Sequence, residues 1–391
     1  MDDLKQMTGE KTRSTTRRTF LASAVAGGLA ATAGCQVRMP TQLFGEPDPP
    51  PFGPVEHGWE MAGRDGANTA HNPGADGPQS EPEPIWELDI GETTIPRTVV
   101  AGDTLVVGGE EELFVFDLST NELSWSTTVA IHLADPVLLD GRVYIQTDTR
   151  ELSCFDAQTG ENQWSVTTRA AVRTPTVTDR AVFVPDEEGT IHTYDVETGN
   201  EKWQTASELP RPREQYAVTK EAVYLGRSGT LLALDIETGD ELWRTDEHGG
   251  RVTFVDNSLY TGGNEMSAHD SDGTLLWNVD LNRLAGGYST PTIVNGRAVT
   301  TISGGHIEVL SAESGESLWK DGERSWYGRP ITDGSMIYVA SDYRARRVYA
   351  LDPVSETVEW MKRVPEAPGY LRVVDDMLLV GIATGKLLAF A

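Results

Sequence analysis

Eight tryptophans set the period of this chain. The segment Phe155-Asp156-Ala157-Gln158-Thr159-Gly160-Glu161-Asn162-Gln163-Trp164 returns in the same form ending at Trp203 and again at Trp243. Looser copies end at Trp125, Trp277, Trp319 and Trp360, and an isolated Trp86 precedes them all. Successive tryptophans lie 39, 39, 39, 40, 34, 42 and 41 residues apart. A repeat near forty residues with alternating apolar positions predicts four-stranded blades, each burying a face against its neighbour.

Every period supplies the strands that reading needs. The innermost begins around Thr174-Pro175, Thr290-Pro291 or Arg329-Pro330. The second follows a turn, as in Arg142-Val143-Tyr144-Ile145, the third runs into the Asp, and the fourth carries the Trp. Gly160, Gly199, Gly239 and Gly315 each stand four residues before a Trp, where a short hairpin with a bulge demands positive φ. Asn121 holds that place in the first copy and Glu356 in the last, where strain is expected. Asp156, Asp195 and Asp235 are placed to accept backbone N–H groups across the turn. With Asp117 and Asp352 they therefore read as structural acids, not general bases.

Eight such strand sets occur, but the last stops at Ala391 without a Trp strand, while Ile85-Trp86-Glu87-Leu88 is a Trp strand without a blade. Joining the two closes a ring and removes exposed sheet edges. The expected fold is all-β: an eight-bladed β-propeller of four-stranded antiparallel blades, closed by the N-terminal strand at Trp86. Seven blades is the alternative.

The N-terminal region reads as an address. Thr16-Arg17-Arg18-Thr19-Phe20-Leu21 leads into an apolar run that ends in small residues, as in a signal peptide. Its 14 apolar-stretch residues, Phe20 to Ala33, fall short of the roughly 20 that span a membrane. The pair Arg17 and Arg18 resembles a twin-arginine (Tat) export signal. Gly34-Cys35 resembles a lipoprotein cleavage site, with Cys35 as the lipidated residue; plain secretion is the alternative. Residues 1–34 are thus assigned to the signal peptide, 35–56 to a lipidated Pro-rich tether and 57–391 to the propeller. The expected location is the extracytoplasmic face of the cell membrane.

Charge narrows the function. Sixty acidic and 32 basic residues give a net charge of -28, and only seven of the basic residues are Lys. Such a field repels phosphate backbones, so nucleic acid is not an expected partner. An acidic, Lys-poor surface resembles that of proteins from salt-loving archaea. Two Cys cannot build a disulfide framework or a four-thiolate zinc site, and Cys154 reads as a small buried hydrophobe. The seven His are scattered, with no two at a ligand spacing, and no Gly-x-Ser-x-Gly elbow occurs.

The Asp-x-x-Thr-Gly-x-x-x-Trp repeat resembles the tryptophan-docking repeat of the pyrroloquinoline-quinone (PQQ)-like propellers. The leader Trp59-Glu60-Met61-Ala62-Gly63-Arg64-Asp65-Gly66-Ala67-Asn68-Thr69 also resembles the segment that precedes such propellers. The resemblance covers residues 57–391 and implies one of two functions. Quinoprotein dehydrogenases hold PQQ with calcium on the propeller axis. Non-catalytic members, similar to the propeller lipoprotein of the bacterial outer-membrane assembly machine, bind partner proteins. Many of the dehydrogenases carry adjacent cysteines above the quinone, which this chain lacks, and no cluster matches the family's calcium ligands. The expectation is a non-catalytic, cofactor-free, monomeric scaffold for membrane or cell-surface proteins. A PQQ-dependent dehydrogenase, or a module binding small anionic solutes, is the alternative.

One constellation stands out. Arg97, Arg173, Arg213, Arg251, Arg329 and Arg372 fall eight to twelve residues after a Trp, at the starts of inner strands, with Arg211 nearby. The blades after Trp125 and Trp277 offer His132 with Asp135, and Tyr288. Inner-strand starts surround one mouth of a propeller channel, so these residues are expected to form a guanidinium ring that focuses anions. Carboxylate self-repulsion should also loosen the fold in dilute buffer. The melting temperature is expected to rise steeply from low salt to molar potassium chloride in a thermal denaturation series, and a flat response overturns the halophilic reading.

Overall fold

The computed structural model describes residues 37–38 and 50–391, apart from positions 93, 130–133, 148–149, 169–173, 210–215, 228, 281–288, 303–304, 323 and 325. Among these residues the chain forms eight antiparallel sheets with no α-helix, seven of four strands and one, at blade 1, whose four strands are extended to six by N-terminal segments. They are the blades of a propeller. Blade 2 shows the pattern: inner strand Val137–Leu139, then Arg142–Gln146, Glu151–Asp156 and the outer Asn162–Thr167. Blade 8 is assembled from both ends of the chain. Pro368–Val374, Met377–Ile382 and Lys386–Phe390 receive Pro84–Asp89 as their outer strand. Trp86 lies opposite Ala389 and Leu88 opposite Leu387, with an ion pair between Lys386 and Glu87. Eight blades and the closure at Trp86 are as the repeat requires.

The hairpin chemistry explains why the repeat looks as it does. Asp156 Oδ1 accepts from the backbone N–H of Gln158 and Thr159 and from the Thr159 hydroxyl, at 3.1, 2.8 and 2.8 Å. Asp195 and Asp235 do the same in their blades. These donors hold all three carboxyls below the usual carboxylate range. Acids so depressed and so occupied are poor bases, as expected.

Gly160, Gly199, Gly239 and Gly315 have φ of 70, 69, 73 and 72°, and the substitutes Asn121 and Glu356 adopt 58 and 61°. The glycine has a second role that conformation alone does not reveal. A Cβ on Gly199 would lie 2.7 Å from the Trp164 ring, one on Gly239 2.4 Å from Trp203 and one on Gly315 2.6 Å from Trp277. Each indole thus lies flat against the hairpin glycine of the following blade. Its Nε1–H donates to the same hairpin: Trp125 to Ala157 O, Trp164 to Val196 O, Trp203 to Ile236 O and Trp277 to Ala312 O, at 2.8 to 3.2 Å. Blade 5 compresses the period to 34 residues because only Gly250 separates the outer strand Glu241–Gly249 of blade 4 from the inner strand Arg251–Val255.

The leader is the part of the fold with no counterpart in the repeat. Val55–Trp59 pairs antiparallel with Arg97–Gly102, the inner strand of blade 1. The chain then crosses the end of the channel at which the inner strands finish. Glu60 O accepts from Leu138 N in blade 2, Gly66 O from Val218 N in blade 4, and Ala67 O from Phe254 N in blade 5. Residues 70–72 pair with Thr332 of blade 7, and Asp76 and His57 exchange bonds with Asp375 of blade 8. The fully buried Asn72 pins the crossing: its Nδ2 donates to His57 O, Gly58 O and Val373 O, at 3.1, 3.0 and 2.9 Å. A short strand at Val37–Arg38 pairs with the outer edge of blade 1.

Two substitutions test this account by urea denaturation. Glu356→Gly should stabilise by about 1 kcal/mol, since it relieves a non-glycine residue in the left-handed region. Asn72→Leu should cost at least about 2 kcal/mol by leaving buried carbonyls without a donor. A neutral Asn72→Leu would mean that the leader is not fastened.

Candidate functional site

The structure staggers the arginines that the spacing aligned. Arg97 and Arg251 are the first residues of their inner strands, but Arg329 and Arg372 lie well inside Trp326–Thr332 and Pro368–Val374. The reason is strand length: inner strands run from two residues, at Thr176–Val177, to seven, so a constant distance from the Trp does not fix depth. Arg173, Arg211, Arg213, His132 and Tyr288 lie outside the described residues, as do Arg17, Arg18 and Cys35.

Arg97 pairs with Asp135 at 2.5 Å, and its guanidinium sits 5.2 Å from the Tyr370 ring centroid. Arg372 lies 5.6 Å from the same Tyr370 ring and 5.3 Å from Trp59 of the leader. Its Nε donates to Thr98 O and its Nη1 to Leu371 O. Arg329 spans three blades and the leader. Its Nη1 donates to Asn68 Oδ1 at 2.6 Å, and its Nη2 to Asn68 O, Thr253 Oγ1 and Pro291 O. Burial pushes the Arg329 guanidinium down to about 9, with Asp65 opposing the shift and Arg372 adding to it. Burial lowers Arg372 too, against Asp135 and Tyr370.

A common register links these contacts. Thr253 in blade 5 donates its hydroxyl to Pro291 O in blade 6, and Thr292 in blade 6 to Pro330 O in blade 7, at 2.8 and 2.6 Å. Arg372 makes the corresponding bond from blade 8 to Thr98 O of blade 1, with a guanidinium in place of the hydroxyl.

A second feature was not legible in the sequence. A cleft of about 640 Å³ opens between the leader and the turns of blades 3 and 4. Its rim carries Arg64, Arg180, Lys202 and Lys220 together with Glu60, Asp65, Asp179 and Glu237. Arg64 pairs with Glu60 at 3.0 Å and Arg180 with Glu237 at 3.2 Å. Only the folded leader brings its Glu60 and Arg64 beside residues more than a hundred positions later.

The same side chains decide what the described part of the channel suits. A calcium-held quinone needs a set of oxygen donors around a hard cation. The ionisable groups here are mainly guanidiniums, and Asp135 is committed to Arg97. No three His, Cys, Asp or Glu among the described residues are arranged to hold a metal ion. The described residues offer no such donor set. Cys154 is fully buried, and burial pushes its thiol up to about 11, far from a reactive thiolate.

Comparison with known proteins agrees with this architecture. Residues 79–211, 130–246, 227–326 and 303–391 each match the family described as outer membrane protein assembly factor BamB. None of the curated proteins matches the sequence significantly. Among solved structures, BamB from Moraxella catarrhalis superposes with a TM-score of 0.66 at 19% identity, covering 79% of this chain and 99% of that one. A europium-containing methanol dehydrogenase gives 0.69 at 13% identity, covering 86% and 98%. The quinohemoprotein alcohol dehydrogenase of Comamonas testosteroni gives 0.67 at 13%, covering 86% and 80%. At these identities the structures speak to the fold alone, while the family match runs continuously from residue 79 to the end of the chain: this protein belongs to the BamB family of PQQ-like repeat propellers.

Proposed function

We propose that this protein is a non-catalytic, lipid-anchored scaffold on the extracytoplasmic face of the membrane, binding membrane or cell-surface proteins. The observation that supports it best is the family match over residues 79–391, whose description is that of an assembly factor. The chemistry of the chain points the same way. The recurrent acids are spent on hairpin turns, the one described cysteine is inert, and the described ionisable groups of the channel are mainly cationic. A molecule of net charge -28 that concentrates guanidiniums near its axis is suited to an acidic segment of a partner. Arg173 and Arg213, with Arg97 and Arg251, are the residues assigned to that mouth. A lipid on Cys35 and the Pro-rich tether of residues 35–56 would hold the propeller close to the membrane surface.

Affinity purification from native membranes in high salt tests the reading. The expected result is reproducible capture of one membrane or cell-surface protein, lost in the double variant Arg173→Glu, Arg213→Glu at an unchanged melting temperature. Arg329 and Arg372 are poor choices for that variant because their side chains are built into the channel wall. Unaltered capture by the double variant overturns the arginine mouth. Calcium-dependent binding of PQQ, with dye reduction on adding an alcohol or sugar, would establish the dehydrogenase reading instead. A Cys35→Ser chain that stays in the membrane fraction overturns the anchor.

A further inference from the structure

Two guanidiniums in the channel have no carboxylate within ion-pair distance among the described residues. Arg372 is only 5% exposed, its Nη2 is buried without a hydrogen-bond acceptor, and no carboxylate lies within ion-pair distance of it among the described residues. Arg329 is half-buried, and its four contacts are all to neutral oxygens, two of Asn68, one of Thr253 and one of Pro291; its Nε is shielded from solvent and has no acceptor. Asp135 neutralises Arg97. Asp65 acts on Arg329 through space, but its two oxygens accept from Thr69 N and Thr69 Oγ1. Arg372 thus has Asp135 only at a distance, and that carboxylate is engaged by Arg97.

That arrangement is costly. A buried charge without a partner is among the most destabilising arrangements in a folded chain, and a buried N–H without an acceptor calls for an explanation, of which a bound ion is one. Trp59 and Tyr370 offset part of the cost by cation–π contact, but their faces do not occupy the in-plane Nη2–H donor. Nor is the charge needed to link the blades, since Thr253 and Thr292 make the corresponding bonds with a neutral hydroxyl.

We propose that the channel beneath the leader binds one monovalent inorganic anion, a halide, at Arg372 Nη2. A halide accepts hydrogen bonds from any direction, and one such ion balances the Arg372 guanidinium. The site rests on the described channel residues alone and stands whether or not the mouth takes a partner.

The test uses the full chain at matched ionic strength in potassium chloride, potassium bromide or potassium gluconate. Screening of the acidic surface acts alike in all three salts. A specific site adds a saturable gain in chloride and bromide, with the folded-to-unfolded ratio at fixed urea rising about tenfold once the halide exceeds its dissociation constant tenfold. Arg372→Met should abolish that halide-specific gain and keep the general salt response. Equal stabilisation in all three salts, or a halide-specific gain retained by Arg372→Met, overturns the proposal. Should Arg372→Met fail to fold, crystals of the unaltered chain soaked in bromide decide the matter. An anomalous peak within hydrogen-bond distance of Arg372 Nη2 supports the site, and its absence there overturns it. The same soak with formate in place of bromide distinguishes a halide from a carboxylate: formate displacing bromide from that position would overturn the halide and assign the site to organic anions.

Discussion

The seating of one blade's indole on the next blade's hairpin glycine is the contact on which this architecture depends. It joins three requirements in one place: a backbone turn with positive φ, a flat surface without a Cβ, and a carbonyl ready to accept the indole N–H. A buried indole removes on the order of 200 Å² from water, worth about 5 kcal/mol at the usual coefficient. Because the dock lies between blades, each blade is incomplete until its neighbour forms. Where the hairpin is divided by the chain termini, at the junction of blades 7 and 8, the leader supplies the missing acceptor: Trp360 Nε1 donates to Pro78 O at 2.7 Å.

The leader and the channel form the second level of organisation. By crossing from blade 1 over blades 2, 4 and 5 to blades 7 and 8, the leader adds backbone bonds to inner strands spread around the ring. Its Asn68 meets Arg329 from above, and its Trp59 covers Arg372. The polar character of the axis is thus set jointly by the ring and by a segment outside the repeat. This is also where the protein departs from a uniform propeller, and departures of this kind are where function concentrates on a shared fold.

Much of this was legible in the sequence. The forty-residue spacing, the glycine four places before each Trp and the two incomplete ends determine the blade count and the closure, because each follows from local geometry repeated many times. Glu356 at 61° shows that even a deviation from the repeat was readable. The arginine ring was only partly so. Inner strands of two to seven residues put Arg329 and Arg372 deeper than Arg97 and Arg251, and no spacing rule encodes that difference. The course of the leader was illegible for another reason. Its contacts are single backbone bonds to residues as much as three hundred positions away, which leave no periodic trace.

The seam of blade 8 has a consequence for biosynthesis. Its outer ribbon, Pro84–Asp89, leaves the ribosome long before the three strands that receive it, Pro368–Val374, Met377–Ile382 and Lys386–Phe390. Until those three strands are translated, that ribbon has no sheet to join and the half-built stack keeps two open flanks. Joining partners so distant along the polymer is slow, and the waiting flanks invite association with other nascent chains. Completion is thus an all-or-none event that waits on Lys386–Phe390, and losing that ribbon would leave the circle broken.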